Sequence, residues 1–289
     1  MTTVQAATQS PGGLRDLRDK VCVVTGAGSG IGRAMSLRFA AAGMRLVLAD
    51  IEQGSLDGVA AELGGDGDRV LAMRADVASM GDMNALRDAT LARFGRADVV
   101  CLNAGVAPVG GLLETPLEVW EWVLDVNLRG VIHGAKAFAP VLVEQGSGHI
   151  VCTASVAGLS DTSTLNAYGT SKHAVVGLGA ALRGELAGSG VGVSVLCPGL
   201  IDTKIFESER NRPDGMDDPS QDNPVSKQLR DLIATQGVSP GQVADVVHRA
   251  VLDNQFIVFP TSDLDEIIKS RIAALEQGMQ WRDGLDLPH

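Results

Sequence analysis

The sequence predicts one doubly wound α/β domain, in which about seven parallel strands carry helices on both faces. Short apolar runs alternate with longer helical patterns along most of the chain, and this alternation is typical of parallel β-α-β units. The apolar runs are rich in Val, Ile and Leu and do not alternate with polar residues, as expected for strands covered on both faces. Because no change in composition marks a boundary, we expect a single domain.

Seven apolar runs are predicted to be the strands of this sheet. Each run is short and is followed by glycine, polar residues or a helical pattern. They lie at residues 21–25, 45–49, 70–74, 97–102, 149–154, 192–197 and 256–259.

Six helical patterns lie between and beside these strands. They cover residues 30–42, 54–63, 80–94, 116–144, 167–187 and 239–252. We expect Pro140 to kink or end the long fourth helix, because proline removes a helical hydrogen bond. Ser239 followed by Pro240 is a favourable start for the last helix, since serine caps a helix and proline suits its first turn.

The composition argues against several classes of function. The chain has 289 residues and a formal net charge of −11 at pH 7. This charge disfavours binding to nucleic acids or to anionic membranes, because both require a basic surface. No run reaches the ~18 apolar residues of a membrane helix. The first 13 residues lack the basic start and apolar core of a secretory signal.

The cysteines indicate a reducing compartment and no metal site. Cys22, Cys101, Cys152 and Cys197 each lie within an apolar run, and none forms a C-x-x-C pair. We therefore expect four buried thiols in a cytoplasmic protein. With five histidines in the chain and no clustered ligands, we predict no zinc or other metal site.

A glycine-rich turn follows the first predicted strand. Residues 25–32 read TGAGSGIG, and Gly26, Gly30 and Gly32 allow the backbone to turn sharply and approach a pyrophosphate closely. The helix that follows offers free N–H groups and the positive end of its dipole. The alternative is a turn that only packs the strand against the helix. The position of the glycine-rich turn directly after a buried strand favours the interpretation as a phosphate site.

The spacing G-x-x-x-G-x-G in this turn resembles that of the short-chain dehydrogenase/reductase family, in its single-domain branch. The resemblance extends from residue 20 to about residue 260. It implies a Rossmann-type catalytic domain over residues 20–262, a nicotinamide cofactor and the interconversion of alcohols and carbonyl compounds. Ser29 and Ile31, which lie between the glycines, are then expected to contact the cofactor as well.

Asp50 at the end of the second predicted strand indicates which dinucleotide binds. A carboxylate at this position can accept hydrogen bonds from the adenosine ribose hydroxyls and would repel a 2′-phosphate. The next residue is Ile51, so no arginine follows to neutralise that phosphate. We therefore predict NAD rather than NADP. The resemblance further implies that Asp76 and Val77 contact the adenine ring.

Four residues match the catalytic set of the family. Tyr168 and Lys172 are four residues apart, which places both side chains on one face of a helix. A neighbouring cation lowers the pKa of a phenol, so Tyr168 is the predicted general acid/base. The resemblance also implies that Tyr168 and Lys172 contact the cofactor, with Lys172 bound to the nicotinamide ribose. Ser155 is expected to hydrogen-bond the substrate oxygen. Asn127 matches the residue that holds a water linking Lys172 to solvent, with an exposed mid-helix asparagine as the alternative.

Two further strand ends match cofactor contacts of the family. After the fourth strand the resemblance implies contacts from Asn103, Ala104 and Gly105, although the family motif begins with a second Asn where this chain has Leu102. After the sixth strand it implies contacts from Pro198, Gly199, Ile201 and Thr203, the last of which binds the nicotinamide carboxamide.

Three segments lie outside the strand and helix pattern. Residues 1–19 are interpreted as a flexible leader. Residues 200–238 are polar and contain Pro213, Pro219 and Pro224, and we predict that they form a lid over the substrate, with a solvated insertion as the alternative. Residues 263–289 are predicted to be a helical tail that covers either a neighbouring subunit or the pocket.

The sequence therefore predicts an NAD-dependent oxidoreductase that interconverts a secondary alcohol and a ketone. Apolar residues after the strand ends favour a hydrophobic substrate, and they include Val106, Val156, Leu159 and Leu165. The alternatives are a catalytically silent NAD-binding regulator and an NADPH-dependent ketoacyl-type reductase. A sugar-nucleotide epimerase is disfavoured by the glycine spacing and the chain length. By resemblance we expect a homotetramer, with a dimer as the alternative.

Overall fold

The structure, a computed structural model, describes residues 14–65, 67–160, 163–213, 215–216, 223–262 and 265–285. Within these ranges the chain forms a parallel seven-stranded sheet in the order β3-β2-β1-β4-β5-β6-β7. The strands are β1 (Val21–Thr25), β2 (Arg45–Asp50), β3 (Val70–Arg74), β4 (Val99–Leu102), β5 (Gly148–Thr153), β6 (Val191–Leu196) and β7 (Ile257–Val258). The predicted parallel α/β fold is confirmed.

Helices cover both faces of the sheet, because each face is apolar. The helices are α1 (Gly30–Ala41), α2 (Gln53–Glu62), α3 (Met80–Phe94), α4 (Leu117–Leu124), α5 (Gly130–Glu144), α6 (Asn166–Glu185), α7 (Pro224–Gln236), α8 (Pro240–Asp253) and α9 (Asp265–Asp283). Helices α1, α2 and α8 bury their apolar residues in one core layer. Helices α3, α5 and α6 bury theirs in the layer on the opposite face.

The strand order reverses direction between β1 and β4. Strand β1 pairs with β2 on one side and with β4 on the other. The connections from β1 and β4 therefore leave toward opposite faces, and a crevice opens beyond their carboxyl ends. This crevice is where ligands bind in doubly wound sheets.

The long helix predicted over 116–144 is interrupted, but not at the predicted Pro140. Pro140 lies inside α5, and the helix continues to Glu144, so the prediction that Pro140 ends it is wrong. A π-helical turn, Asp125–Arg129, instead separates α4 from α5. Such a turn contains one residue more than an α-helical turn and is frequent at functional sites.

Part of the predicted leader belongs to the core. Leu14 and Leu17 are 5% and 4% exposed and pack with α1 and α2 residues. The expectation of a flexible leader is therefore wrong for residues 14–19, because two leucines in this polar stretch bury apolar area. Residues 1–13 lie outside the described residues.

The segment predicted as a lid is more regular than its prolines suggest. It contains a 3₁₀ helix, Ile205–Asn211, and helix α7. Pro224 begins α7 rather than breaking it, because proline is compatible with the first helical turn, and Asn223 caps that turn. Residues 214 and 217–222 lie outside the described residues.

The two C-terminal elements agree with the sequence pattern in type. Ser239 caps α8, and Ser239 and Gln242 form a reciprocal capping box. Beyond β7 the chain forms α9, which is largely exposed and has no buried residue. Within the described ranges, no helix combines the length and apolar character needed to cross a membrane.

Candidate active site

The glycine-rich turn has backbone geometry that requires glycine. Gly26 and Gly30 have φ angles of +66° and +51°, a region that L side chains rarely adopt. A Cβ on Gly32 would lie 2.0 Å from the carbonyl oxygen of Gly26. The turn therefore lies directly against the start of α1, and its backbone forms one wall of the crevice. Ser29 and Ile31 line the crevice between the glycines.

Gly28 is a site residue that the sequence analysis missed. Its backbone N–H donates to Oδ2 of Asp50 at 2.8 Å. A Cβ on Gly28 would lie 2.9 Å from the same oxygen. The other carboxylate oxygen, Oδ1, accepts the N–H of Glu52 at 3.0 Å. Asp50 is thus held in place by two backbone donors at the rim of the crevice. The additional glycine within TGAGSGIG was the only sequence signal for this contact.

Asp76 and Val77 lie beside Asp50 at the end of β3, and both line the crevice. The Asp76 carboxylate accepts the N–H of Ala78 at 2.9 Å. Val77 is 8% exposed, and its side chain packs closely against Gly130 of α5. Both predicted residues therefore face the region where the sequence analysis places the adenine ring.

Asn103 connects three strands beneath the crevice. Its side-chain Nδ2 donates to the carbonyl of Thr25 at 3.1 Å, and its Oδ1 accepts from the Thr153 hydroxyl at 3.2 Å. The Thr25 hydroxyl in turn accepts the N–H groups of Asn103 and Ala104 at 2.9 and 3.2 Å. These bonds hold the loop after β4 against β1 and β5. Thr25 is a supporting residue that sequence reasoning missed.

Ser155, Tyr168 and Lys172 come together at the opposite end of the crevice. The Ser155 side chain is hydrogen-bonded to that of Tyr168. The Lys172 Nζ lies 5.6 Å from the Tyr168 ring centroid and donates to the Thr153 carbonyl at 2.9 Å. Lys172 is 3% exposed. Helix α6 thus presents the phenol and the ammonium to the end of β5, as their spacing predicts.

The pKa values of these two groups are governed by burial. Burial lowers the pKa of Lys172 to about 8. Burial also raises the pKa of Tyr168, while the hydrogen bond with Ser155 opposes that shift. The net shift of the Tyr168 pKa in the protein chain by itself is therefore upward, whereas the neighbouring Lys172 was expected to produce a net lowering. Removal from water disfavours both charged forms more strongly than their proximity favours them.

Asn127 is fully buried in the π-helical turn. Its Oδ1 accepts the Val106 N–H at 2.8 Å, and its Nδ2 donates to the Val106 carbonyl at 2.9 Å and to the Ser171 hydroxyl at 3.0 Å. Exposure is 0%, so the alternative of an exposed mid-helix asparagine is wrong. Both side-chain N–H groups bind protein atoms, and the implied water relay stays a prediction.

The loop after β6 completes the crevice. The Pro198 carbonyl accepts the N–H of Val156 at 3.0 Å and the Ser155 hydroxyl at 3.4 Å. Thr203 lies against Gly30, since a Cβ there would be 3.1 Å from Thr203 Cγ2. The loop therefore joins the glycine-rich turn to the Ser155 end.

These walls enclose one continuous cleft of about 770 Å³. It contains nearly all of the predicted site residues. Those that line it are Gly26, Ser29, Gly30, Ile31, Asp50, Asp76, Val77, Asn103, Ala104, Gly105, Ser155, Tyr168, Lys172, Pro198, Gly199, Ile201 and Thr203. Gly32 and Asn127 do not line it but support its walls.

The apolar end of the cleft differs in part from the predicted pocket. Val106 and Leu165 line it, whereas Val156 and Leu159 pack elsewhere. Additional apolar residues come from elements that sequence reasoning could not bring together. They are Trp122, Val126, Ile205, Phe206, Met216, Leu229 and Ile267.

The cleft fits a dinucleotide. One end has a close backbone cradle and a fixed carboxylate, as an adenosine diphosphate moiety requires, and the other end has a phenol, a hydroxyl and an ammonium. Across the part of the chain that is described, no group of three or more His, Cys, Asp or Glu side chains is placed to hold a metal ion.

Comparison with known proteins decides the family. The family model for short chain dehydrogenase matches residues 20–214. The chain belongs to the short-chain dehydrogenase family. This short-chain dehydrogenase is 40% identical over 251 residues to 1-deoxy-11-beta-hydroxypentalenate dehydrogenase from Streptomyces arenae, covering 84% of this chain and 83% of that protein.

Two other similarities bear on its extent and its site. It is 38% identical over 234 residues to the probable oxidoreductase EphD from Mycobacterium tuberculosis, covering 81% of this chain but only 39% of that longer protein. Its fold matches a short chain dehydrogenase/reductase from Burkholderia phymatum, solved in complex with NAD, with a TM-score of 0.88 and 36% identity. That match covers 92% of this chain and 97% of the other.

Proposed function

We propose that this short-chain dehydrogenase interconverts a secondary alcohol and a ketone with NAD, and that Tyr168 is its general acid/base. One observation carries the proposal. Ser155, Tyr168 and Lys172 meet at one end of a cleft whose other end holds Asp50 and the glycine-rich turn. A substrate bound beside Tyr168 would therefore lie next to the reactive end of a dinucleotide that extends from Asp50.

Each residue of this set has a distinct role in the proposal. The Tyr168 hydroxyl takes the proton of an alcohol or gives one to a ketone. The Ser155 hydroxyl, already bonded to Tyr168, also binds the substrate oxygen. Lys172 holds positive charge beside the phenol ring and supports the phenolate during oxidation. Asn127 fixes the loop around Val106 and orients α6 through Ser171.

The cofactor supplies the redox chemistry, since the oxidised nicotinamide accepts a hydride when it is bound. The glycine-rich turn would hold its pyrophosphate, and Asp50 its adenosine ribose. Preference for NAD is supported by the carboxylate of Asp50, whose charge opposes a 2′-phosphate. It is also supported by the similar Burkholderia protein, which was solved with NAD.

The substrate in this proposal is hydrophobic. Trp122, Phe206, Met216 and Leu165 surround the space beyond Tyr168, and burying an apolar group there is favourable at roughly 25 cal/mol per Å². We further propose that residues 200–238 act as the lid of this space. A homotetramer, with a dimer as the alternative, and a cytoplasmic location complete the proposal.

An absorbance assay at the reduced-nicotinamide band tests the proposal. Secondary alcohols of increasing apolar size are supplied with NAD or NADP, and the corresponding ketones with NADH or NADPH. We expect turnover of bulky apolar substrates with the NAD pair. Efficient turnover only with NADPH would favour a ketoacyl-type reductase. Binding of NADH without turnover of any substrate would favour a silent regulator.

A further inference from the structure

Part of the proposed lid crosses the cleft from one rim to the other. We define the cover segment as residues 205–212, which comprise the 3₁₀ helix and the residue after it. The segment follows Thr203, which lies against Gly30. Its residues Arg210 and Asn211 lie beside Glu52, which is two residues beyond Asp50. Ile205, Ser208, Arg210 and Glu52 all line the cleft, so the cover segment forms its outer wall.

Glu52 anchors the cover segment at Arg210 and Asn211 with two hydrogen bonds. Its Oε1 accepts from Arg210 Nε at 2.8 Å and from Asn211 Nδ2 at 2.7 Å. Its Oε2 accepts from the Ser55 hydroxyl at 3.2 Å. Burial opposes ionisation of Glu52, but the bonds with Asn211 and the charge of Arg210 lower its pKa. The carboxylate is therefore charged and fixed at neutral pH.

Arg210 transmits this anchor to the backbone of the cover segment. Its Nη1 donates to the carbonyl of Glu207 at 2.9 Å. The same guanidinium therefore binds Glu52 on one side and the turn that contains Glu207 on the other. Moving the cover segment away from the cleft requires the Glu52 contact to break.

Besides a hydrogen bond from Arg230 Nη1 to the Phe206 carbonyl at 3.5 Å, two other contacts hold the segment along its length. The Ser208 hydroxyl accepts the Ala107 N–H at 2.9 Å, and Ser208 is 3% exposed. The Arg212 guanidinium lies 5.5 Å from the Trp122 ring centroid. Both contacts lie at the substrate end, so Glu52 is the anchor at the adenosine end.

We propose that Glu52 is a positioning residue that keeps the cover segment closed over the bound dinucleotide, and that opening of its contact with Arg210 and Asn211 controls cofactor release. This inference rests on the proposed function, because it assumes a dinucleotide in the cleft. The side chains of Arg210 and Glu52 are 35% and 27% exposed. Salt therefore weakens the contact and accelerates release.

Stopped-flow fluorescence of NADH release from the full chain tests the inference. For Glu52→Gln we expect the release rate to rise about tenfold, the association rate to change little and the dependence of release on salt to diminish. Glu62→Gln is the matched control, because Glu62 pairs with Arg33 at a separate exposed site. It should release NADH as the unmodified protein does.

Two further experiments, an exchange of the charges at positions 52 and 210 and a proteolysis assay, separate an effect on NADH release from a folding defect. The double variant Glu52→Arg with Arg210→Glu should recover slow release. NADH should protect the Arg210–Asn211 bond from trypsin in the unmodified protein and much less in Glu52→Gln, whereas the Arg212–Pro213 bond resists trypsin in every variant. Unchanged release in Glu52→Gln would overturn the role of Glu52 alone. If neither NADH nor NADPH binds, the proposed function fails and the inference fails with it.

Discussion

The side-chain amide of Asn127 forms two hydrogen bonds with the backbone of Val106, accepting its N–H at 2.8 Å and donating to its carbonyl at 2.9 Å. The π-helical turn between α4 and α5 presents this side chain to the loop after β4. The third bond, to Ser171, reaches α6 three residues after Tyr168. One buried amide therefore couples the loop at the cleft to the helix that carries the phenol.

The first prediction concerns this amide. Asn127→Ala should lower the free energy of unfolding by about 2–4 kcal/mol, because it leaves the Val106 N–H and carbonyl without their partner in the interior. Urea unfolding measures the change. Asn84→Ala is the control, since the half-buried Asn84 accepts a hydrogen bond from the neighbouring Arg87 side chain on α3 at 3.0 Å. Equal effects of the two substitutions would contradict the role of Asn127.

The second prediction concerns the general acid/base. Tyr168→Phe should reduce kcat by at least about 10³-fold, because general acid/base catalysis contributes roughly 10²–10⁴-fold and no other tyrosine is present in the chain. The affinity for NADH should stay within about twofold of the original, since the ring keeps its packing. Steady-state kinetics and fluorescence titration measure both quantities. Substantial residual turnover would place the base elsewhere.

The third prediction concerns the choice of dinucleotide. Asp50→Ser should lower the ratio of kcat/KM for NAD over NADP by at least about tenfold, or ~1.4 kcal/mol, because it removes the charge that repels a 2′-phosphate. Asp57→Ser on the exposed surface of α2 is the control. If the unmodified protein uses both dinucleotides equally well, the argument from Asp50 is wrong.

The fourth prediction compares two helical glycines. Gly32→Ala should prevent folding or cost several kcal/mol, because its Cβ would lie 2.0 Å from the Gly26 carbonyl oxygen. Gly58→Ala in α2 should instead raise stability by about 0.5–1 kcal/mol, since its Cβ would meet no described atom within 4 Å and alanine favours the helix. Thermal unfolding measures both. A stable Gly32→Ala variant would contradict the geometry of the turn.

The fifth prediction follows from the buried Lys172. Its pKa of about 8 in the folded protein lies below the roughly 10.4 of a free lysine. Between these values the unfolded chain keeps a proton that the folded chain has lost, so the stability contribution of Lys172 rises with pH. The cost of burying its charge is greatest below pH 8.

The unfolding free energy of the unmodified protein minus that of Lys172→Met should therefore increase by up to about 3 kcal/mol from pH 7 to pH 10.5. Urea unfolding at four pH values in this range measures the difference. The exposed Lys136, replaced by Met, provides the control and should give a flat difference. A flat difference for Lys172→Met would show that the ammonium is not buried.

Much of the fold and of the cleft could be predicted from the sequence. Continuous apolar runs identify buried parallel strands, because helices cover both faces of such a sheet and the side chains on both faces must therefore be apolar. Since parallel strands end at one edge, the residues after each run were expected to meet there, and nearly all of them line the cleft. The pair Tyr168 and Lys172 could be placed on one helix face from their spacing alone.

Other features depended on contacts between residues far apart in the chain. Gly28 and Asp50 are 22 residues apart, and Glu52 and Arg210 are 158 apart, so no local pattern predicts either contact. Local polarity indicated a flexible leader at residues 1–19 and an irregular lid at residues 200–238. In the structure Leu17 of the predicted leader is buried in the core. Within the predicted lid, the cap at Asn223 allows α7 to begin at Pro224.

The sequence by itself determined the parallel α/β architecture, the glycine-rich turn and the order of the site residues, because these depend on local apolar patterning and on backbone freedom at glycine. Only the tertiary structure decided the π-helical turn at Asn127, the attachment of the cover segment to Glu52 and the direction of the Tyr168 pKa shift. Each of these depends on which distant residues pack around a polar group and exclude water from it. That packing exists only in the folded chain.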